Sequence, residues 1–212
     1  MNHALRGRLE SSMSELGLPL DVLLIDPLLS YLDLLVKWNG VYNLTAIRDP
    51  NEMLTQHLMD CLAIIQPFQT RLPKVTSLAD VGAGAGLPSV VLAIAIPHLQ
   101  VTAIDAVSKK TAFIQQLAMT LGLKNLQVKH GRVEKMNQRF DVVCSRAFAS
   151  LLDFVTQTSQ LLDEQGIWMA MKGKTPLYEI EQLPQNIQIE SIEPLHVPNL
   201  DAQRCLVWLK KV

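Results

Sequence analysis

The sequence has no excess charge of either sign: 19 Lys and Arg stand against 20 Asp and Glu, a net charge of −1. This excludes a global basic field, so a nucleic-acid partner would have to be held by a local patch. Charged residues make up only 18% of the chain and hydrophobic ones 49%, which excludes a disordered polymer and supplies a full core. Cysteines are few and odd in number: Cys61, Cys144 and Cys205, each in an apolar segment. A disulfide framework is therefore excluded, and buried free thiols of a reducing compartment, the cytoplasm, are expected. Met1 to Met13 has no apolar stretch of the kind a secretory signal needs, so no such signal is expected. No internal repeat and no low-complexity tract breaks the chain. A membrane span is not expected either. Leu78 to Pro97 is mostly apolar and long enough, but Asp80, three glycines and Pro88 interrupt it. A buried strand, a tight turn and a buried helix account for it.

What is present begins with helices. Leu5, Leu9, Met13 and Leu16 recur at helical spacing until Gly17-Leu18-Pro19 stops them. A second helix is predicted over Asp21 to Asn39. Asp49-Pro50-Asn51-Glu52 reads as a helix start, with Asp49 as N-cap and Pro50 in the first helical position. That helix carries Met53, His57, Asp60 and Ile64 along one side. Residues 1–65 are thus expected to form an N-terminal helical segment packed on a domain spanning 66–212.

From Val75 onward, short apolar runs alternate with helical stretches. Strands are predicted at Ser77–Val81, Gln100–Asp105, Leu126–His130, Phe140–Ser145, Ile167–Lys172, Ile187–Leu195 and Cys205–Leu209. The intervening helices are predicted at Pro88–Ile96, Ser108–Leu121, Ser150–Leu162 and Pro176–Leu183. This alternation predicts an α/β, Rossmann-like, doubly wound, mostly parallel seven-stranded sheet. The last two strands have no helix between them and should pair antiparallel at one side.

The stretch Asp80-Val81-Gly82-Ala83-Gly84-Ala85-Gly86 ends the first strand and opens the first crossover helix. Glycines there admit positive φ and let a ligand lie against the main chain. A turn using glycine only for conformation is the weaker reading. The dinucleotide pattern would need its third glycine at position 87, where Leu87 stands, so a pyridine-nucleotide enzyme is disfavoured. The acid two places before the first glycine resembles instead the first motif of class I S-adenosylmethionine methyltransferases, a resemblance that covers roughly 75–210. Asp105, ending the second strand, suits the two ribose hydroxyls. Gly131-Arg132-Val133-Glu134 follows the third strand, where such enzymes bind adenine.

Further stretches resemble, nearly end to end, the bacterial 16S ribosomal RNA guanine-N7 methyltransferase family, first named glucose-inhibited division protein B. They are Lys37-Trp38-Asn39 with Tyr42-Asn43-Leu44-Thr45, Arg48-Asp49-Pro50, His57 with Asp60, and Leu87-Pro88 after the glycine loop. Arg132-Val133-Glu134, Ser145-Arg146-Ala147-Phe148-Ala149, Lys172-Gly173 and Gln203-Arg204-Cys205-Leu206-Val207 complete the set. The resemblance implies S-adenosylmethionine as cofactor, with Gly82 and Leu87 against it, Val133 and Glu134 on its adenine side, and Arg146 near cofactor and base. Asp80, Gly84, Gly86 and Asp105 join the expected cofactor site. Ala83, Ala85 and Ser89 depart from the Thr, Pro and Gly often found in that family. The implied partner is 16S rRNA, free or in the small subunit, and a monomer is the default expectation.

The residues agree with the implied chemistry. Guanine N7 carries a lone pair and no proton, so it attacks the methyl group in line without a general base. The chain has no nucleophile motif, no metal-ligand spacing and no Asn-Pro-Pro-Tyr motif of amino-group methylation after the fourth strand. Arg146 is the expected functional residue of that loop, its planar donors suiting guanine O6 or a phosphate. An ion pair with Asp80 or Glu134 is the competing role for Arg146. Arg48, Lys109, Lys110, Arg132, Lys172 and Arg204 are the candidate RNA contacts. His57 as a helical histidine, and Trp38 and Tyr42 as base platforms or core anchors, stay open, as does stacking by Phe148. The residues alone also leave open a methyltransferase of a small molecule or protein, and a non-catalytic S-adenosylmethionine-binding regulator.

Overall fold

The glycine-rich turn follows an interior strand, the first along the chain, of a seven-stranded sheet whose strands, numbered in chain order, lie as 3-2-1-4-5-7-6. A computed structural model of the chain describes residues 3–146, 148 and 150–212. Ala147 and Ala149 of the expected Arg146 loop lie outside the described residues.

The strands are β1 (Ser77–Val81), β2 (Gln100–Asp105), β3 (Leu126–His130), β4 (Phe140–Ser145), β5 (Leu162–Lys172), β6 (Ile187–Leu195) and β7 (Arg204–Lys211). The first five run parallel, and β7 is antiparallel to both β5 and β6. Register matters for function here. Asp80 sits beside Ala103 on one side and Cys144 on the other, and Asp105 beside His130. The carboxyl ends of β1 to β4 therefore come level, with the strand order reversing between β1 and β4. Crevices for ligands form at such a switch point.

Strand β5 starts earlier than predicted because Leu162 pairs with Phe140 across an irregularity before Val142. The crossover helices are α6 (Ser89–Ala95), α7 (Ser108–Leu121) and α8 (Leu151–Thr158), and a short α9 (Leu177–Glu181) follows β5. Gly122 ends α7 in the left-handed conformation, and Ser150 caps α8 by accepting the Asp153 N–H.

Ahead of the sheet come α1 (His3–Glu15) and α2 (Val22–Tyr42), the latter capped by Asp21 and closed by Asn43 at φ 50°. Asp49 caps α3 (Pro50–Met53) by accepting the N–H groups of Asn51 and Glu52. The helix then widens into a π-helical stretch, Leu54–Met59, before the turn α4 (Asp60–Leu62). One helix went unforeseen: α5 (Ile65–Arg71), which starts where the division at residue 65 was expected. Leu9, Leu28 and Leu35 of the N-terminal helices share one continuous apolar core with Val90, Phe113 and Leu78. The opposite sheet face packs Val143, Trp168 and Val207 against Phe154 of α8. Each fully buried Leu on α2 contributes about 2 kcal/mol of transfer free energy. That is ample to hold the segment on the sheet. All three cysteines are buried and unpaired with one another.

Candidate functional site

Two clefts open along the carboxyl edge of the sheet. The first, about 340 Å³, is lined by Gly82, Asp105, Gly131, Arg132, Val133, Glu134 and Phe148 among others. The second, about 390 Å³, is lined by His57, Asp60, Arg146, Lys172 and Arg204 with Ile47 and Met171. A larger cleft of about 790 Å³ lies at the amino edge, where Arg71 and Lys210 are both already paired with Glu190. Chemistry in parallel sheets is carried by loops at the carboxyl ends, so the two smaller clefts are the candidates.

In the first cleft the glycines do three different things. All have positive φ: 72° at Gly82, 59° at Gly84 and 85° at Gly86. A Cβ at Gly82 would meet nothing within 4 Å, and the residue lines the cleft. Gly84 instead donates its N–H to Asp105 Oδ2 at 2.9 Å. At Gly86 a Cβ would fall 2.4 Å from Val90 Cγ2, so that glycine serves the packing of α6. Asp105 Oδ1 accepts the Val107 N–H at 2.8 Å, and each carboxylate oxygen retains a lone pair for a further donor. Val133 and Glu134 stand on a 3₁₀ turn across the cleft, anchored where Gln160 Nε2 donates to the Val133 carbonyl at 3.1 Å. Phe148 lines the same cleft and packs on Phe154 with ring centres 5.5 Å apart. A bare main chain beside Gly82, a carboxylate with spare acceptors and an apolar wall suit an extended nucleoside.

Four residues expected in the cofactor site line neither cleft: Gly84 and Gly86, whose roles are structural, and Asp80 and Leu87. Asp80 has no exposed surface and accepts the Ser89 N–H at 3.0 Å. Burial pushes its carboxyl up to about 6. Leu87 is 4% exposed and belongs to the apolar core.

The second cleft is built around Arg146, which lines this cleft and not the first. Nη1 donates to the Gln56 carbonyl at 3.2 Å and to Asp60 Oδ2 at 3.3 Å, and Nη2 to His57 Nδ1 at 3.4 Å. The carboxylate that pairs with Arg146 is therefore Asp60 of the N-terminal segment, not Asp80 or Glu134. The π-helical stretch brings Gln56 and His57 against the end of β4, with Asp60 one turn on. Inserted wide turns of this kind often mark functional sites. Because a guanidinium only donates, Nδ1 of His57 accepts and its proton lies on Nε2, which donates to Thr45 Oγ1 at 2.7 Å. Burial, then the Arg146 charge, lowers His57 to about 4, so the imidazole is neutral at pH 7.

Arg204 lines the same cleft and gives its Nε to Asp60 Oδ1 at 2.7 Å. Lys172 also faces it, tied to Glu179 Oε2 at 2.7 Å. Three cations against one lining carboxylate leave this cleft positive, as an anionic or carbonyl-rich ligand requires.

The other expected RNA contacts scatter. Arg132 is exposed on the rim of the first cleft. Arg48 donates to Asn43 Oδ1 at 3.0 Å, and Lys109 donates to the Tyr42 carbonyl at 2.8 Å, where it completes the end of α2. Lys110 is half-buried and lines neither cleft. Trp38 anchors α2 against Phe113 with ring centres 5.4 Å apart, while Tyr42 remains 44% exposed. Asp60 and the Gln56 carbonyl are site groups that sequence reasoning did not assign. The signals for Asp60 were its place one turn after His57 and its pairing with His57 in the family resemblance, and neither gave it a role. Among the described residues, no group of three or more His, Cys, Asp or Glu is placed to hold a metal, and no helix is long and apolar enough to cross a membrane.

The chain matches the family model described as rRNA small subunit methyltransferase G over residues 24–207. It is 49% identical to the ribosomal RNA small subunit methyltransferase G of Methylibium petroleiphilum over 98% of this chain and 95% of the relative. It is also 49% identical to that of Polaromonas naphthalenivorans over 98% and 96%. Among solved structures it resembles a ribosomal protein L11 methylase from Lactobacillus delbrueckii subsp. bulgaricus, with TM-score 0.57 at 18% identity over 71% of this chain and 77% of that one. This last likeness is one of fold, the class I methyltransferase sheet. On the family match and these identities, the chain belongs to the rRNA small subunit methyltransferase G family.

Proposed function

We propose that this protein transfers a methyl group from S-adenosylmethionine to N7 of a specific guanine in 16S ribosomal RNA. The names of its relatives support an rRNA methyltransferase, and methyltransferases of this fold draw on S-adenosylmethionine. The observation that carries the reading is the loop after β4. Arg146 lines the cationic cleft, and Phe148, two residues on, lines the nucleoside cleft. One short loop thus joins the place for a donor to the place for a base.

The residues fit that cofactor. Gly82 leaves the main chain bare, Asp105 keeps acceptor capacity for ribose hydroxyls, and Val133 and Glu134 stand where adenine would lie. S-adenosylmethionine supplies a methyl group already made electrophilic by its sulfonium. Guanine N7 has a lone pair and no proton to lose, so this chain need supply no general base. Its residues bind, orient and exclude water. Arg146 has five N–H donors and spends three on Gln56, Asp60 and His57. The remainder can meet guanine O6, fixing the base with N7 toward the nucleoside cleft. Neutral His57 accepts from Arg146 rather than competing with it for an anion. Lys172 and Arg204 suit flanking phosphates. Residues 1–65 then act as a helical layer that completes the cationic cleft of the domain at 66–212. Buried free thiols fit work in the reducing cytoplasm.

The test is transfer of tritiated methyl to small-subunit RNA from cells lacking this protein, followed by borohydride and aniline, which cleave RNA at N7-methylguanine. Label in 16S rRNA with a single cleavage site is expected. Label without cleavage refutes N7 as the target. Label only in protein or small molecules refutes RNA as the substrate.

A further inference from the structure

Tyr31 lies in the N-terminal segment, on α2, yet its hydroxyl ends on the glycine loop. It donates to the Ala85 carbonyl at 2.8 Å, and the residue is 1% exposed. A buried tyrosine hydroxyl needs a partner, and this one finds it in the loop that lines the nucleoside cleft. On the other side, Asp105 Oδ2 takes the Gly84 N–H at 2.9 Å. The two bonds anchor the peptide groups that flank the Gly84–Ala85 link. Gly84 and Gly86, at φ 59° and 85°, sit on either side of Ala85. Backbone so rich in glycine has many accessible conformations and does not select one by itself. The ring of Tyr31 is in turn placed by Phe113 of α7, 6.4 Å between centroids, and Phe113 meets Trp38 of α2 at 5.4 Å.

We infer that Tyr31 is a positioning residue for the cofactor: its hydroxyl selects the loop conformation that admits the nucleoside. The inference rests on reading the cleft beside Gly82 as the S-adenosylmethionine site. Removing the hydroxyl leaves the nearly buried Ala85 carbonyl without this partner in the selected conformation. The loop then populates other conformations, and apparent affinity falls by the fraction that remains competent.

The experiment is calorimetric titration with S-adenosylhomocysteine, with thermal melting and KM for cofactor and RNA, on wild type, Tyr31→Phe and Leu28→Val. Leu28 is fully buried on α2, one turn before Tyr31, and touches the same core. Tyr31→Phe should bind about tenfold more weakly with the KM for RNA unchanged. Leu28→Val should lose melting temperature yet keep affinity within about twofold. Wild-type affinity in Tyr31→Phe, an equal rise in both of its KM values, or the same affinity loss in Leu28→Val would overturn the inference. A wild-type chain that does not bind at all would refute the cleft assignment, and the inference with it.

Discussion

The Asp60 carboxylate stands between two guanidinium groups, taking Arg204 Nε at 2.7 Å through one oxygen and Arg146 Nη1 at 3.3 Å through the other. Its side chain is only 5% exposed, while the two arginines are 22% and 24% exposed. Two like charges from β7 and the end of β4 could not share one cleft stably without an anion between them. Asp60→Asn keeps the shape and removes that anion. It should lower kcat/KM by roughly 10- to 100-fold, the scale of a lost charge-assisted hydrogen bond. Methyl-transfer kinetics check the activity, and a circular dichroism melt separates this effect from unfolding.

Two buried groups should oppose one another as pH falls. His57 is lowered to about 4 by burial and then by Arg146, from an unfolded value near 6.5. Between those values the unfolded chain binds more protons, so stability drops as pH falls from about 6.5 to about 4. Asp80 is raised to about 6, chiefly by burial, from near 3.8. Between those values the folded chain binds more protons, so stability rises as pH falls from about 6 to about 4. Each effect is on the order of 3 kcal/mol, and they nearly cancel. Urea denaturation at pH 7 and pH 5 resolves them. Relative to wild type, His57→Gln should gain stability on acidification and Asp80→Asn should lose it. A parallel response of both variants would refute the scheme.

The strands could be read from sequence because each is a short apolar run bounded by turn residues, and six of the seven begin within a residue of the expected position. The exception, β5, begins at Leu162, since a pairing partner such as Phe140 is not visible along the chain. The glycine loop was legible as a place but not as a mechanism. A glycine whose missing side chain leaves open space, like Gly82, and one that spares Val90, like Gly86, are identical in sequence. Arg146 could be singled out by its position after β4. Its partner could not, since Asp60 lies 86 residues away on a helix whose docking no local pattern specifies. Tyr31 was invisible for a related reason, because a tyrosine in an apolar helical stripe looks like core.

That distinction between the glycines is itself testable. Gly82→Ala adds a methyl group to a residue that lines the nucleoside cleft, at a φ of 72° that disfavours side chains. Gly86→Ala puts one 2.4 Å from Val90 Cγ2, at φ 85°. Both carry about 1–2 kcal/mol of backbone strain. Only Gly86→Ala adds overpacking, typically another ~1–3 kcal/mol. Gly82→Ala should therefore lose most of its affinity for S-adenosylhomocysteine while melting only slightly early. Gly86→Ala should show the larger loss of melting temperature. Calorimetry and melting curves on both variants make the comparison, and the reverse ranking would refute the roles given to the two glycines.

Lys172 and Lys109 were both expected to meet RNA, but only Lys172 faces a candidate cleft; Lys109 is exposed and bonded to the Tyr42 carbonyl. A lysine that neutralises a phosphate releases condensed counterions, and its loss lowers the slope of log K against log salt by about 0.7–0.9. Lys172→Ala should show that decrease in filter-binding titrations over 16S rRNA at several salt concentrations. The variant also frees Glu179, whose Oε2 still accepts the Leu151 N–H at 2.6 Å, so α9 stays tethered to α8. Lys109→Ala should instead leave the slope near its wild-type value. A smaller slope in Lys109→Ala with none in Lys172→Ala would move the phosphate track from the β5 edge of the sheet to the start of α7.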